Sequence, residues 1–98
     1  MNKIAPAHIN SLVSSLVFYN VHIPDTTTML SEAFLPNGFS VGSGKSACVD
    51  PALFNKEIGE DIASTNAEND ARQTLWQLEG YLLAITGQNS AYFDKALR

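Results

Sequence analysis

The stretch Gly42-Ser43-Gly44-Lys45-Ser46-Ala47, "GSGKSA", decides how this chain is read. A glycine-rich loop ending in Lys-Ser is the usual cradle for a nucleotide phosphate. That motif also needs a glycine five residues before Gly44 and a helix whose first amides face the phosphates. Residue 39 is Phe, and Pro51 follows Asp50. A proline disfavours helical geometry in the residue before it, so a helix starts at Pro51 at the earliest. That is too late for its amides to surround Lys45. The phosphate-loop reading fails, and the stretch belongs to another architecture.

Outward from it, β-type alternation gives way on both sides to helical spacing. Asn37-Gly38 stands between two apolar runs, the strongest short-range signal for a hairpin. Thr26 through Met29, Leu30, Ala33, Phe34 and Leu35 forms the outgoing strand and Phe39-Ser40-Val41 the returning one. Gly42 and Gly44 are expected to weaken that strand or mark a bulge. Upstream, Val17, Tyr19, Val21 and Ile23 alternate with Phe18, Asn20 and His22, a further strand closed by Pro24-Asp25. Before it, Ile9, Leu12, Val13 and Leu16 are spaced i, i+3, i+4, i+7, which predicts a helix over residues 6–16 with Pro6 in its first turn.

Downstream, Asp50-Pro51 reads as an N-cap followed by proline at the first helical position, and Asn55 can cap the next helix. That helix is long. Ile58, Ile62 and Ala63 line its first half, and Ala71, Leu75, Leu78, Leu82 and Ile85 make a seam widened by Trp76 and Leu83. The seam is expected to serve the core, with part left over for a partner. Gly80 within it implies close packing against a neighbour, and Gly87 is placed to end the helix. Ser90 to Leu97 reads as a last short helix carrying Tyr92 and Phe93. The expected architecture is a single α+β domain over residues 1–98, a small antiparallel β-meander packed against an N-terminal helix and a long C-terminal helix.

A chain of 98 residues is one modest domain. Such a domain buries about two-thirds of its unfolded surface and gains from oligomerisation. Formal charge is −4 and the six Lys and Arg are scattered singly, so duplex nucleic acid, which needs clustered cations, is not an expected partner. No apolar run approaches the roughly 20 residues that span a bilayer, and the opening Met1-Asn2-Lys3-Ile4 does not read as a signal peptide. The single cysteine, Cys48, reads as a buried thiol in a reducing compartment. A cytoplasmic protein with no membrane partner is expected.

Catalytic constellations are hard to assemble here. His8 and His22 are not spaced for a metal, and no carboxylate pair or cysteine accompanies either. His8 is expected on the solvated side of the first helix, and His22 at a surface or interface. Glu57, Glu60, Asp61, Glu68 and Asp70 make an acidic helix face that reads as solvated surface. No enzyme activity, cofactor or metal is expected. Binding is the better fit. Lys45 and Ser46 lie beside glycines, Phe54 and Asn55 open the helical part, and Asn66, Asn69 and Arg72 occupy the middle of the long helix. An aromatic ring, amide donors and two cations suit a nucleotide-like anion.

The order of segments carries a resemblance. "LPNGFSVGSGKSACVDPALFNKEIG" followed by "LWQLEGYLL" resembles a family of small tailed-phage early proteins with the pattern NGF-x-V, SACV-x-P, Phe, EIG and W-x-LEGYLL. Here these are Asn37-Gly38-Phe39, Ser46-Ala47-Cys48-Val49, Pro51, Phe54, Glu57-Ile58-Gly59 and Trp76 to Leu83. The resemblance covers residues 17–85, leaving 88–98 as a C-terminal extension. It makes "GSGKSA" the end of a hairpin strand with an inserted glycine. The family's helical Asn/Asp-Ala pair falls on Asn66-Ala67 or on Asp70-Ala71.

The family includes a Thoeris anti-defence protein, so the resemblance implies a non-catalytic sponge in the cytoplasm of the bacterial host. Its ligand would be a cyclic nucleotide immune signal of the cyclic ADP-ribose type made by TIR-domain enzymes, or a cyclic oligonucleotide, bound by a homo-oligomer from dimer to hexamer. Phe54 would stack on the base, Lys45 and Arg72 would meet phosphates, and Ser46 and Asn66 would hydrogen-bond phosphate or ribose. The alternative is an inhibitor that binds a host enzyme through the acidic helix face and the surplus apolar seam.

Overall fold

The computed structural model describes residues 3–96. In chain order the elements are α1 (Pro6–Ser14), β1 (Val17–His22), β2 (Thr28–Phe34), β3 (Ser40–Ala47), a 3-10 turn at Pro51–Leu53, α2 (Lys56–Thr86) and α3 (Ser90–Ala96). The fold is α+β. The three strands form an antiparallel meander in the order β1-β2-β3, covered on one face by α2. The β2–β3 turn is the expected Asn37-Gly38 hairpin, with Gly38 at φ 90°. Asn55 caps α2 by accepting the Glu57 and Ile58 amides at 3.0 and 3.2 Å, and Gly87 closes it at φ 79°.

β3 is longer than its glycines suggest. It runs through Gly42 and Gly44 to Ala47, and its one register shift falls beside Gly42, where Ala33 pairs with Gly42 and Phe34 with Ser40. An irregularity thus lies at one expected position and none at Gly44. The reason lies on the helix. A Cβ at Gly42 would stand 2.6 Å from the Ala67 carbonyl oxygen and from the Ala71 nitrogen, and one at Gly44 would meet the backbone of Ala63 and Ala67. The two glycines let α2 lie with its backbone directly on the strand. Ala63, Ala67 and Ala71 are fully buried there, small for the same reason. Two residues of strand advance about 6.8 Å and one helical turn about 5.4 Å, so each glycine meets about one turn.

The main core lies at the other end of this seam, where Ile9 and Val13 of α1 meet Ala33, Val41, Ala67, Ala71 and Leu75, flanked by Leu12, Leu16, Phe18 and Leu35. Several positions differ from expectation. The buried row of α2 is Ala63, Ala67, Ala71, Leu75 and Glu79, a strict four-residue stride, so of the predicted seam Ala71 and Leu75 are buried while Leu78 and Ile85 are exposed, as are Ile58 and Ile62. Gly80 has no atom within 4 Å of its absent Cβ, and nothing in the structure explains it. His8 is largely buried, with Nε2 3.1 Å from Glu79 Oε1. Cys48 is only half-buried, its thiol donating to the Asp50 carbonyl at 3.2 Å. Among the described residues no helix is long and apolar enough to cross a membrane.

Candidate functional site

The motif segments converge where β3 ends and α2 begins. Asp50 Oδ1 accepts the Ala52 amide at 2.9 Å and fixes the tight 3-10 turn through Pro51. Thr27 donates to the Cys48 carbonyl at 2.5 Å, tying the end of β3 to the start of β2. Ser46 donates its hydroxyl to the Gly59 carbonyl at 2.7 Å. Gly59 has to be small, since a Cβ there would lie 2.9 Å from Met29 Cγ and 3.4 Å from Ser46 Oγ. The result is a groove of about 180 Å³ lined by Ser46, Cys48, Leu53, Phe54, Gly59 and Ile62 among others.

Phe54 is not a loose ring. His22 stacks on it with centroids 5.0 Å apart and planes 24° apart. His22 Nε2–H donates to the Thr26 carbonyl at 2.6 Å, which fixes the imidazole plane. His22 is half-buried rather than a free surface group. A signal for it was present: β1 alternation puts His22 on the same side as Phe18 and Asn20, facing the helix.

Of the expected ligand residues, only Ser46 and Phe54 share this groove. Lys45 immediately precedes Ser46 and so points to the opposite face of the sheet, paired in register with Leu30. Asn66 spends its amide on the Lys45 carbonyl at 2.9 Å. Arg72 donates to Asn10 Oδ1 at 2.7 Å, linking α2 to α1 away from the groove. Within one chain, no cation is among the residues lining the groove.

The two candidates for the Asn/Asp-Ala pair turn out to be equivalent. Asn66 holds the Lys45 carbonyl, and one turn later Asp70 Oδ2 accepts the Ser43 amide at 2.9 Å. Ala67 and Ala71 follow them under the strand. Each pair satisfies one backbone group on the open edge of β3 and buries one small side chain. Asp70, though exposed as expected of the acidic face, thus also serves the scaffold.

A second concavity, about 540 Å³, lies on the outer face of the sheet. Tyr19, Val21, Leu30 and Phe34 wall it, with Tyr19 and Phe34 edge-to-face at 5.4 Å. Glu32 lies within it and accepts the hydroxyls of Ser40 and Ser43. Among the described residues there is no group of three His, Cys, Asp or Glu side chains able to hold a metal.

A model of the phage protein (N4 Gp49/phage Sf6 gene 66) family matches residues 4–86. That span takes in α1, the whole sheet, the groove and nearly all of α2, and stops before α3. No curated protein and no solved structure matches the chain.

Proposed function

Since the chain belongs to the phage protein (N4 Gp49/phage Sf6 gene 66) family, we propose that it is an anti-defence protein that binds a cyclic nucleotide immune signal and sequesters it without breaking it. The signal is of the cyclic ADP-ribose type made by TIR enzymes, or a cyclic oligonucleotide, captured in the cytoplasm of the bacterial host. The observation that carries this reading is the convergence of Ser46, Phe54 and Gly59, from three separate motif segments, in one groove. Phe54, held by His22, offers an aromatic surface for a base, and Ser46 lines the same groove.

Size and charge then require a second copy. Ligand pockets for such molecules run from about 300 Å³ upward, and this groove is about 180 Å³ with no cation of its own. On this reading Lys45 and Arg72 meet phosphates across a boundary between copies. The apolar side chains left exposed on α2, Leu78, Tyr81 and Ile85, suit such assembly.

The test is retention. Purified protein is mixed with cyclic ADP-ribose isomers and cyclic oligonucleotides, freed of unbound ligand, then heated and the supernatant analysed. Intact ligand recovered in stoichiometric amount, with recovery lost in Phe54→Ala, is the expected result. Degraded ligand, or no binding at low micromolar concentration across the panel, overturns it.

The outer concavity favours a second reading, an inhibitor that docks on a host enzyme through Tyr19, Val21, Leu30 and Phe34. A stoichiometric protein partner with no small molecule retained, abolished by Tyr19→Asp, selects this alternative.

A further inference from the structure

The buried row of α2 ends on a charge. Ala63, Ala67, Ala71 and Leu75 pack beneath the sheet, but the next residue in the stride, Glu79, is 4% exposed. Its carboxylate is enclosed by α1 and the start of α3. Ser90 donates both its backbone amide, to Oε2 at 2.9 Å, and its hydroxyl, to Oε1. His8 Nε2 lies 3.1 Å from Oε1 and 3.4 Å from the Ser90 hydroxyl. Serine and carboxylate therefore meet the same ring nitrogen. A nucleophile relay needs them on opposite nitrogens, so the arrangement is not a hydrolytic triad.

We propose that Glu79 is the receptor of a latch: its carboxylate docks α3 onto α1 and α2 through a charged two-point contact with the amide and hydroxyl of Ser90, and α3 swings free as one unit about Gly87 when the charge or either point of that contact is lost. A helix of seven residues is too short to persist alone in water. Its order depends on where it is fastened, and its first residue is bound to a buried charge. Gly87, at φ 79°, supplies the reversal, while Thr86 Oγ1 accepts the Gln88 amide at 3.1 Å and Asn89 Oδ1 accepts that of Ala91 at 3.0 Å. Beyond the latch, Phe93 is half-buried and Tyr92 exposed. Ser90 lies outside the segment that the family model matches, so the donor comes from this chain's own extension. Release of α3 uncovers the Glu79–His8 pair and frees the segment to take another position.

The experiment is hydrogen exchange on the full chain, comparing wild type with Glu79→Gln and Ser90→Ala. Glu79→Gln keeps the side chain's shape and removes the charge, and Ser90→Ala removes one hydroxyl. In both variants the amides of residues 91–96 are expected to exchange at least tenfold faster by a common factor, while those of residues 63–75 stay within twofold of wild type. The double variant should open α3 little further than either single one. Unchanged exchange in α3, or acceleration spread evenly over the chain, overturns the latch. Should Glu79→Gln fail to fold, Ser90→Ala alone decides by the same two criteria.

Discussion

The three strands present two faces built on opposite terms. On the inner face, Gly42 and Gly44 let α2 rest its backbone on β3, and Asn66 and Asp70 reach over to satisfy the strand's edge. On the outer face, the alternate residues Tyr19, Val21 and Leu30 are large, apolar and exposed. The inner face therefore holds little side-chain volume and much geometric constraint. The outer face holds much apolar surface, tied within the chain by the Tyr19–Phe34 ring contact and the Glu32 hydrogen bonds to Ser40 and Ser43 but covered by no helix among the described residues. The comparison locates the helix–strand packing in the first and exposed apolar surface in the second. It also explains a chain with 45% apolar residues whose largest fully buried side chains are Ile9, Met29 and Leu75.

The hardest way to break that contrast is to add one carbon to the seam. In Gly44→Ala the new methyl meets helix backbone rather than a side-chain tip that could turn away. Helix and strand have to separate, and the packing of Ala63 and Ala67 goes with them. The expected loss is about 4 kcal/mol, the upper end for single substitutions and much of a typical domain's stability. Urea unfolding with far-UV dichroism measures it. A loss below about 1 kcal/mol would mean that the helix does not sit on the strand. Gly42→Ala should behave alike.

Polar contacts at the seam's edge are worth less. Asp70→Ala frees the Ser43 amide and Asn66→Ala the Lys45 carbonyl, both within reach of water. About 1 kcal/mol for Asp70 and less for Asn66 is expected, since hydrogen bonds to charged groups are the stronger ones. If Asn66→Ala proves the costlier, the equivalence of the two pairs fails.

Much of this was legible in the chain. Asn37-Gly38, Asn55 and Gly87 each carry their local signal, and the bounds of α2 follow from its caps. Period-2 alternation identified β1, but its apolar set Val17, Tyr19 and Val21 is exposed, while Phe18 and His22 on the other face are half-buried. What misled was size. The long-helix seam was read from large side chains, 71-75-78-82-85, whereas burial follows alanines, because strand glycines leave room only for small residues. The glycines expected to weaken β3 or mark a bulge, which does fall beside Gly42, are also what hold the strand to the helix. The candidate site was less legible. Phe54 and Ser46 meet, but Lys45 and Arg72 fell elsewhere, since strand parity and a contact with Asn10 decided their directions. Strand parity gives the face of His22 but not its stack on Phe54, and His8 has no signal at all, because Phe54 and Glu79 are remote in sequence and neither pairing has a spacing rule.

The smallest effect is the most informative about the outer face. Val21→Thr replaces a methyl by a hydroxyl on a side chain that is 54% exposed, next to Leu30 in register. In an isolated chain that costs less than about 0.5 kcal/mol, the range of ordinary surface changes. In a chain whose outer face is covered by another copy, the hydroxyl is buried and the cost rises to about 1–3 kcal/mol. Because association stabilises by mass action, the two cases separate on dilution. A cost that stays small at every protein concentration leaves the outer face open to a partner. A cost that is large when concentrated and fades on dilution makes that face a contact between copies. The same titration then tells whether Lys45, on that side of the sheet, is carried toward a neighbouring chain or out to solvent.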